Sequence, residues 1–331
     1  MTMTSIGDLA QLFTSTRSTS RIKTQMNALT QELSTGIVAD VGRHLGVDSS
    51  ALAAIDRSIA MSDRYAAAAS SAGQTLSVMQ TALDLVEVSR SETAAALVSI
   101  SQSSTTSDQE FAAQSARAAL ETAVQGLNTT YADQSLFGGA AVSDAALRSV
   151  DDILSSVRTV IDGATDVETL KSAMDDWLNG GGYETDIYNG DTEYSATRPI
   201  GVGQSVSFSV RADDDAIKTI ISGLAVSALS TGLGLDSDAV AELQNYSGEM
   251  LLSAGDDLAR AQGELGIQEE KVANASARLA ADTANLQIRR NEMVASDSYE
   301  AAVALQQIQT QLQTHYTLTA KLSGLSLTEY L

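Results

Sequence analysis

The sequence predicts a mainly α-helical protein: a long coiled-coil or bundle rod built from both chain ends, with a small α+β domain inserted between them. Apolar residues recur at intervals of seven in a segment without proline, at Leu251, Leu258, Leu265, Val272, Leu279, Leu286 and Met293, which is typical of a coiled coil. Only 4% of the 331 residues are aromatic and only one is proline. This composition favours long helices over a β-sandwich.

The first half of the chain predicts three helices. The first carries an amphipathic stripe and ends at Gly36, a common residue type at helix C-termini. The second spans residues 52–100, and the third carries apolar positions from Leu120 to Tyr131 and runs antiparallel to the second. Between them, Ser107 and Glu110 have the spacing of a capping box.

The stretch 141–234 differs, because it has shorter elements and ten of the 23 glycines. Helical spacing before Gly163 and a capping box from Thr165 to Glu168 predict two helices. From Tyr183 the pattern changes to alternation, most clearly at Val206, Phe208 and Val210, and Asn189-Gly190 is a turn signal. We therefore expect a small β element here, followed by a helix over residues 217–224.

The last part of the chain predicts two helices that meet near Asp297, where Ser296 to Ser298 interrupt the apolar repeat. We expect the heptad seam to form a rod core with the second and third helices, through Leu76, Leu83, Leu258, Leu265, Val272, Leu279 and Leu286. The two terminal stripes lack enough partners in a monomer. We expect them to order against other copies, with a stable intramolecular pair as the alternative; their residues are Ile22, Met26, Leu29, Leu33, Leu305, Ile308, Leu312, Leu318, Leu322 and Leu325.

Composition excludes several functions. The formal net charge is −22 and argues against nucleic-acid binding, which needs clustered Lys and Arg. No apolar run is long enough to cross a bilayer, no signal-peptide pattern opens the sequence, and cysteine is absent. The two histidines, His44 and His315, lie far apart, and acidic runs such as Asp213 to Asp215 are typical of solvated faces and caps. We therefore expect no enzyme activity, cofactor or metal.

Several short motifs resemble those of the flagellin superfamily. They are Gln31-Glu32-Leu33-Ser34-Thr35-Gly36, Leu136-Phe137-Gly138-Gly139, Tyr188-Asn189-Gly190-Asp191 and Gly201-Val202-Gly203-Gln204. The ending, Leu325-Ser326-Leu327-Thr328-Glu329-Tyr330-Leu331, is similar to the hook-associated protein 3 branch, whose members join hook to filament. The loop after Gly36 departs from the family pattern, since it reads Ala39-Asp40-Val41-Gly42-Arg43-His44.

The resemblance implies an inner domain of residues 1–45 and 298–331, a helical rod of 46–140 and 235–297, and an outer domain of 141–234. It also implies extracellular assembly on the flagellum after type III export without a cleaved signal peptide. The implied partners are copies of the chain, a neighbouring hook-associated protein, filament flagellin and an export chaperone that binds the C-terminal region. The stripes of the two terminal helices would then be the assembly and chaperone interface.

Two other functions stay open at this point. A filament flagellin would share nearly the same assembly chemistry, although the Glu-Tyr-Leu ending and the short middle region favour the junction branch. A ligand-binding or enzymatic module in residues 141–234 would need a cleft with convergent polar groups.

Overall fold

A computed structural model describes residues 6–141, 143–164, 166–193 and 196–328, with side chains from residue 10 onward except 11–12 and 322–328. It confirms the predicted fold class, since long helices lie toward both chain ends and the described strands form only two-stranded sheets. The helices are α1 (Ile6–Thr35), α2 (Val41–Leu45), α3 (Ser49–Val98), α4 (Thr106–Leu127), α5 (Val150–Ile161), α6 (Val167–Asn179), α7 (Gly182–Asp186), α8 (Asp215–Leu229), α9 (Ser237–Val294) and α10 (Ser298–Thr328). The strands are β1 (Thr130–Tyr131), β2 (Gln134–Ser135), β3 (Ala196–Gly201) and β4 (Gln204–Phe208).

The chain divides into two compact units. Unit 1 consists of Met1–Asp63 and Ala281–Leu331, and unit 2 of Arg64–Ala280. Unit 1 therefore contains α1, α2 and α10, and unit 2 contains α4 to α8 and all four strands.

Within unit 2, α3 and α9 pack side by side in opposite directions. The amide of Gln262 donates to Asp84 (2.9 Å), the guanidinium of Arg90 donates to the carbonyl of Leu251 (2.8 Å), and the amide of Asn245 donates to the carbonyl of Ile100 (2.9 Å). Helix α4 joins them, because a side chain at Gly126 would lie 3.4 Å from the carbonyl of Ala82. This three-helix bundle agrees with the antiparallel third helix predicted from sequence.

The remaining elements of unit 2 form a small layer around α8. Helix α8 packs on α4 and α5, and α5 packs on α6. The hairpin β3–β4 is antiparallel and turns at Gly203 (φ +68°). Its strands contribute buried Ile200, Val206 and Phe208 to the core, as the alternating pattern predicted for the last two.

Two of the sequence motifs meet in the interior of unit 2. The amide of Asp191 donates to the carbonyl of Gly138 (3.0 Å), and the hydroxyl of Tyr188 donates to the carbonyl of Phe137 (3.3 Å). A side chain at Gly190 would lie 2.7 Å from the same Gly138 carbonyl, so this approach requires glycine. We call Phe137, Gly138, Tyr188 and Gly190 the motif junction.

Several local predictions were wrong. The cap of α4 is Thr105, whose hydroxyl accepts from the amide of Asp108 while the Asp108 carboxylate accepts from Thr105, so the box lies two residues before Ser107. Tyr183 lies in the short helix α7 rather than in a strand. Asn189-Gly190 does not close a hairpin, because Gly190 lies against the carbonyl of Gly138 in the motif junction. The cap predicted at Thr165 lies outside the described residues, and Asp166 caps α6.

Candidate assembly site

Helices α1 and α10 of unit 1 pack against each other in opposite directions. The hydroxyls of Ser15 and Thr319 lie 3.3 Å apart, and the hydroxyl of Thr19 lies 3.3 Å from Nδ1 of His315. Both pairs join the two ends of the sequence. The structure thus shows the intramolecular pair that the sequence left as the alternative, and it places His315 in a helix–helix contact.

The loops that follow α1 and α9 fix the base of this helix pair. Gly36 has φ +70° and ends α1, and its carbonyl accepts from the amide of Ser296 (2.9 Å). The amide of Val38 donates to the carbonyl of Val294 (3.0 Å). The carboxylate of Glu32 accepts from the amide of Ala39 (2.8 Å). The Gln31 to Gly36 motif and the break near Asp297 therefore meet, which the sequence alone does not show.

The terminal stripes are only partly covered by this pairing. Ile22 is buried, whereas Met26, Leu29, Leu305, Ile308 and Leu312 are half-buried. Leu33 and Leu318 are exposed, the latter by 54%. The side chains of Leu322 and Leu325 lie outside those described. Further apolar side chains stay exposed on the same two helices, at Phe13, Tyr299, Val303 and Tyr316.

This partly exposed apolar surface is a candidate association site. An apolar stripe that the fold leaves partly uncovered gains free energy when another helix covers it. We call the exposed and half-buried stripe residues of α1 and α10 the terminal stripe; they are Met26, Leu29, Leu33, Leu305, Ile308, Leu312 and Leu318.

The predicted rod-core residues fall into two groups. Leu76, Leu83, Leu258, Leu265 and Val272 are buried in the cluster between α3, α4 and α9. Leu279 and Leu286 are half-buried.

Unit 2 contains a compact charged cluster at the start of α8. Arg211 forms an ion pair with buried Asp213 (2.7 Å), and its amide donates to the carboxylate of Asp214 (3.0 Å). Burial, with the nearby carboxylates of Asp213 and Glu264, raises the pKa of Asp214 to about 6. Burial also raises the pKa of Tyr183 and Tyr188, so both phenols stay neutral donors. Tyr183 donates to the carbonyl of Ala212 (3.0 Å), and Tyr188 donates to that of Phe137 in the motif junction.

The raised pKa of Asp214 predicts a pH dependence. Its folded-state pKa of about 6 lies above the usual 3.8, so the native state binds the proton more tightly than the unfolded state does. Stability therefore falls as the pH rises from about 4 to about 6. Asp214→Asn should therefore raise the melting temperature at pH 7 and change it little near pH 4. Asp213→Asn is the control with the opposite sign, because it leaves Arg211 without its carboxylate. Equal melting temperatures for Asp214→Asn and wild type at pH 7 would contradict the prediction.

Neither a membrane-spanning helix nor a metal-binding cluster is found among the described residues. No helix in the described part of the chain has the length and apolar character needed to span a membrane. The residues with described positions include no group of three or more His, Cys, Asp or Glu that could hold a metal ion.

Known proteins match this chain in its C-terminal helices and in its fold. Residues 249–331 match the family described as the bacterial flagellin C-terminal helical region. Among solved structures, a protein described as a flagellar hook-associated protein from Vibrio parahaemolyticus is similar, with a TM-score of 0.54 and 13% identity. The similarity covers 74% of this chain and 97% of that one. No curated protein matches the sequence.

The fold and the terminal helix pair define a helix-rich chain in which the two ends of the sequence pack together. The family match covers residues 249–331, which include the C-terminal part of α9 and the whole of α10, and the structural similarity shows a shared fold.

Proposed function

We propose that this chain is a structural subunit of the bacterial flagellum, assembled with copies of itself through the terminal stripe. The observation that carries the proposal is that α1 and α10 pair with each other but leave most of their apolar stripe partly exposed. The range that matches the flagellin C-terminal family, residues 249–331, includes α10, and this match supports the same role.

We further propose that the subunit joins hook to filament. The similarity of its ending to the hook-associated branch supports this position, and so does the description of the similar solved structure. In this proposal the neighbours are another hook-associated protein and filament flagellin. An export chaperone holds α10 before assembly, since a helix groove would cover the same apolar face. In this proposal the inner domain consists of residues 1–45 and 298–331, the rod of 46–140 and 235–297, and the outer domain of 141–234.

A charge placed on the terminal stripe tests the assembly surface. Leu318→Asp should leave the monomer folded, because Leu318 is exposed there, and should block polymerisation. An uncompensated charge buried at an interface costs about 3–5 kcal/mol, so the critical concentration should rise by about a hundredfold or more. Sedimentation of purified protein over a concentration series measures this change, and circular dichroism checks the fold.

Val202→Asp is the matched control. Val202 is 85% exposed at the turn of the β3–β4 hairpin, so the same charge is added to unit 2 and not to the terminal stripe of unit 1. This variant should polymerise as the wild type does. Normal polymerisation of Leu318→Asp would show that the terminal stripe is not the assembly surface.

The junction role needs a separate experiment in the bacterium that encodes the chain. Deletion of the gene should give cells with hooks but without filaments in cryo-electron microscopy, and the protein should be present in far fewer copies than filament protein. Cells that keep filaments would contradict the junction role. A copy number equal to that of the main filament component would assign the chain to filament flagellin.

A further inference from the structure

We propose that Arg198 forms the centre of a binding site for a carboxylate, in a cavity between the two hairpins of unit 2 and α3. The cavity has a volume of about 410 Å³, within the range of small-molecule sites. Its lining includes Thr75, Tyr131, Gln134, Ser135, Arg198 and Phe208. The site is separate from the terminal stripe and does not depend on the proposed function.

Arg198 differs from the other cations that unit 2 covers. Arg90, Arg211 and Lys218 each have a carboxylate within 2.6–2.8 Å. Arg198 is half-buried, yet among the described residues no carboxylate lies within ion-pair distance of it. Because a covered charge without a counterion is costly, this cation is a candidate for an external anion.

The guanidinium of Arg198 is already held in place. Nη1 donates to the hydroxyls of Ser71 (3.1 Å) and Thr75 (3.4 Å), and Nη2 donates to the amide oxygen of Gln134 (3.2 Å). The ring of Phe208 lies 5.5 Å from the guanidinium carbon. These contacts use three of the five N–H groups of an arginine. The N–H of Nε and one N–H of Nη2 have no acceptor among the described residues.

The cavity supplies a further polar group and no competing charge. The hydroxyl of Ser135 is buried without a hydrogen-bond partner in the described part of the chain, and a buried polar atom usually has one. The described lining contains Arg198 as a cation and no carboxylate, in a chain with 42 acidic residues against 20 basic ones. No acidic side chain therefore lines the described part of the cavity around this unpaired, half-buried cation.

The geometry favours a carboxylate over a phosphate. A carboxylate is planar and singly charged, and it pairs with a guanidinium through two parallel N–H bonds. A phosphate would bring more negative charge than one arginine balances. The carboxylate can belong to a small free acid or to an acidic side chain of a second copy of this chain, and both sources present the same group to Arg198.

Titration of the full chain with acetate tests the site. In isotope-labelled monomer at constant ionic strength, the Nε–H signal of Arg198 and the ring signals of Tyr131 and Phe208 should shift in a saturable way. Arg198→Met should abolish these ring shifts. Arg198→Lys keeps the charge but loses the planar pair of donors, so acetate affinity should fall about tenfold or more.

Arg158→Met is the control, because among the described residues Arg158 donates to the carbonyl of Gly232 (2.8 Å) alone, and it is not among the residues described as lining the cavity. It should bind acetate as the wild type does. If Arg198→Met melts early, the comparison of Arg198→Lys with wild type decides the outcome. Absence of saturable shifts in the wild type, or equal affinity in Arg198→Lys, would overturn the site.

Polymerisation then distinguishes the two sources of the carboxylate. If Arg198→Lys loses acetate affinity and also polymerises poorly, the natural ligand is an acidic side chain of a second copy. Normal polymerisation of the same variant assigns the site to a free small acid. Because acetate binding is measured on the monomer, a failure of the assembly proposal leaves this result unaffected.

Discussion

Phe137→Ala should lower the free energy of unfolding of unit 2 by about 3–5 kcal/mol. The ring of Phe137 is fully buried, and the backbone carbonyl of the same residue accepts from the hydroxyl of Tyr188 and from the amide of Ala212 (3.0 Å). Removing the ring leaves a cavity where the segments that carry these donors meet. Urea unfolding followed by the fluorescence of Trp177 measures the effect, because Trp177 is the only tryptophan and lies in unit 2.

Phe111→Ala is the control for this prediction. Phe111 lies on α4 in the same unit but is 74% exposed, so its loss should change stability by about 0.5 kcal/mol or less. Similar unfolding midpoints for both variants would show that the motif junction does not stabilise unit 2.

The sequence predicted the long helices because their signals are local and repeated. Gly36 ends α1 in a left-handed conformation (φ +70°), and the interrupted repeat near Asp297 separates α9 from α10. Both signals depend on a few neighbouring residues: a glycine after an amphipathic stripe, and a polar residue that accepts from the next amides.

The short elements were harder to predict because each contains too few residues for a periodic pattern. The β1–β2 hairpin has strands of two residues and turns through Ala132 and Asp133, both at positive φ. Neither turn residue is a glycine, so the usual signal is missing. Helix α7 contacts Trp177 of α6, whose indole donates to Asp186 (3.1 Å) and whose ring meets Tyr183 edge-on. Contacts of this kind can override an alternating sequence pattern.

The candidate site was only partly predictable for a similar reason. The stripe residues of α1 and α10 follow from helical spacing, but their pairing depends on contacts across the length of the chain, such as Thr19 with His315. The Arg198 cavity carries no sequence signal, because its lining comes from α3, both hairpins and the loop after β2. A missing carboxylate becomes visible only when every neighbour of the guanidinium is known.

The second large effect is expected in the three-helix bundle, where Leu83→Ala should destabilise unit 2 by about 2–5 kcal/mol. Leu83 is fully buried on α3, whereas Leu85, two residues later on the same helix, is 47% exposed.

Leu85→Ala is therefore a matched control with the same change in volume and helix propensity, and it should cost about 1 kcal/mol or less. Unfolding of both variants, followed by circular dichroism and by the fluorescence of Trp177, separates burial from every effect that depends on the residue type alone. If Leu83 instead belonged to a contact between subunits, Leu83→Ala would melt as the wild type does and would fail only in polymerisation. That outcome would move the seam of α3 from the core of the monomer to its assembly surface.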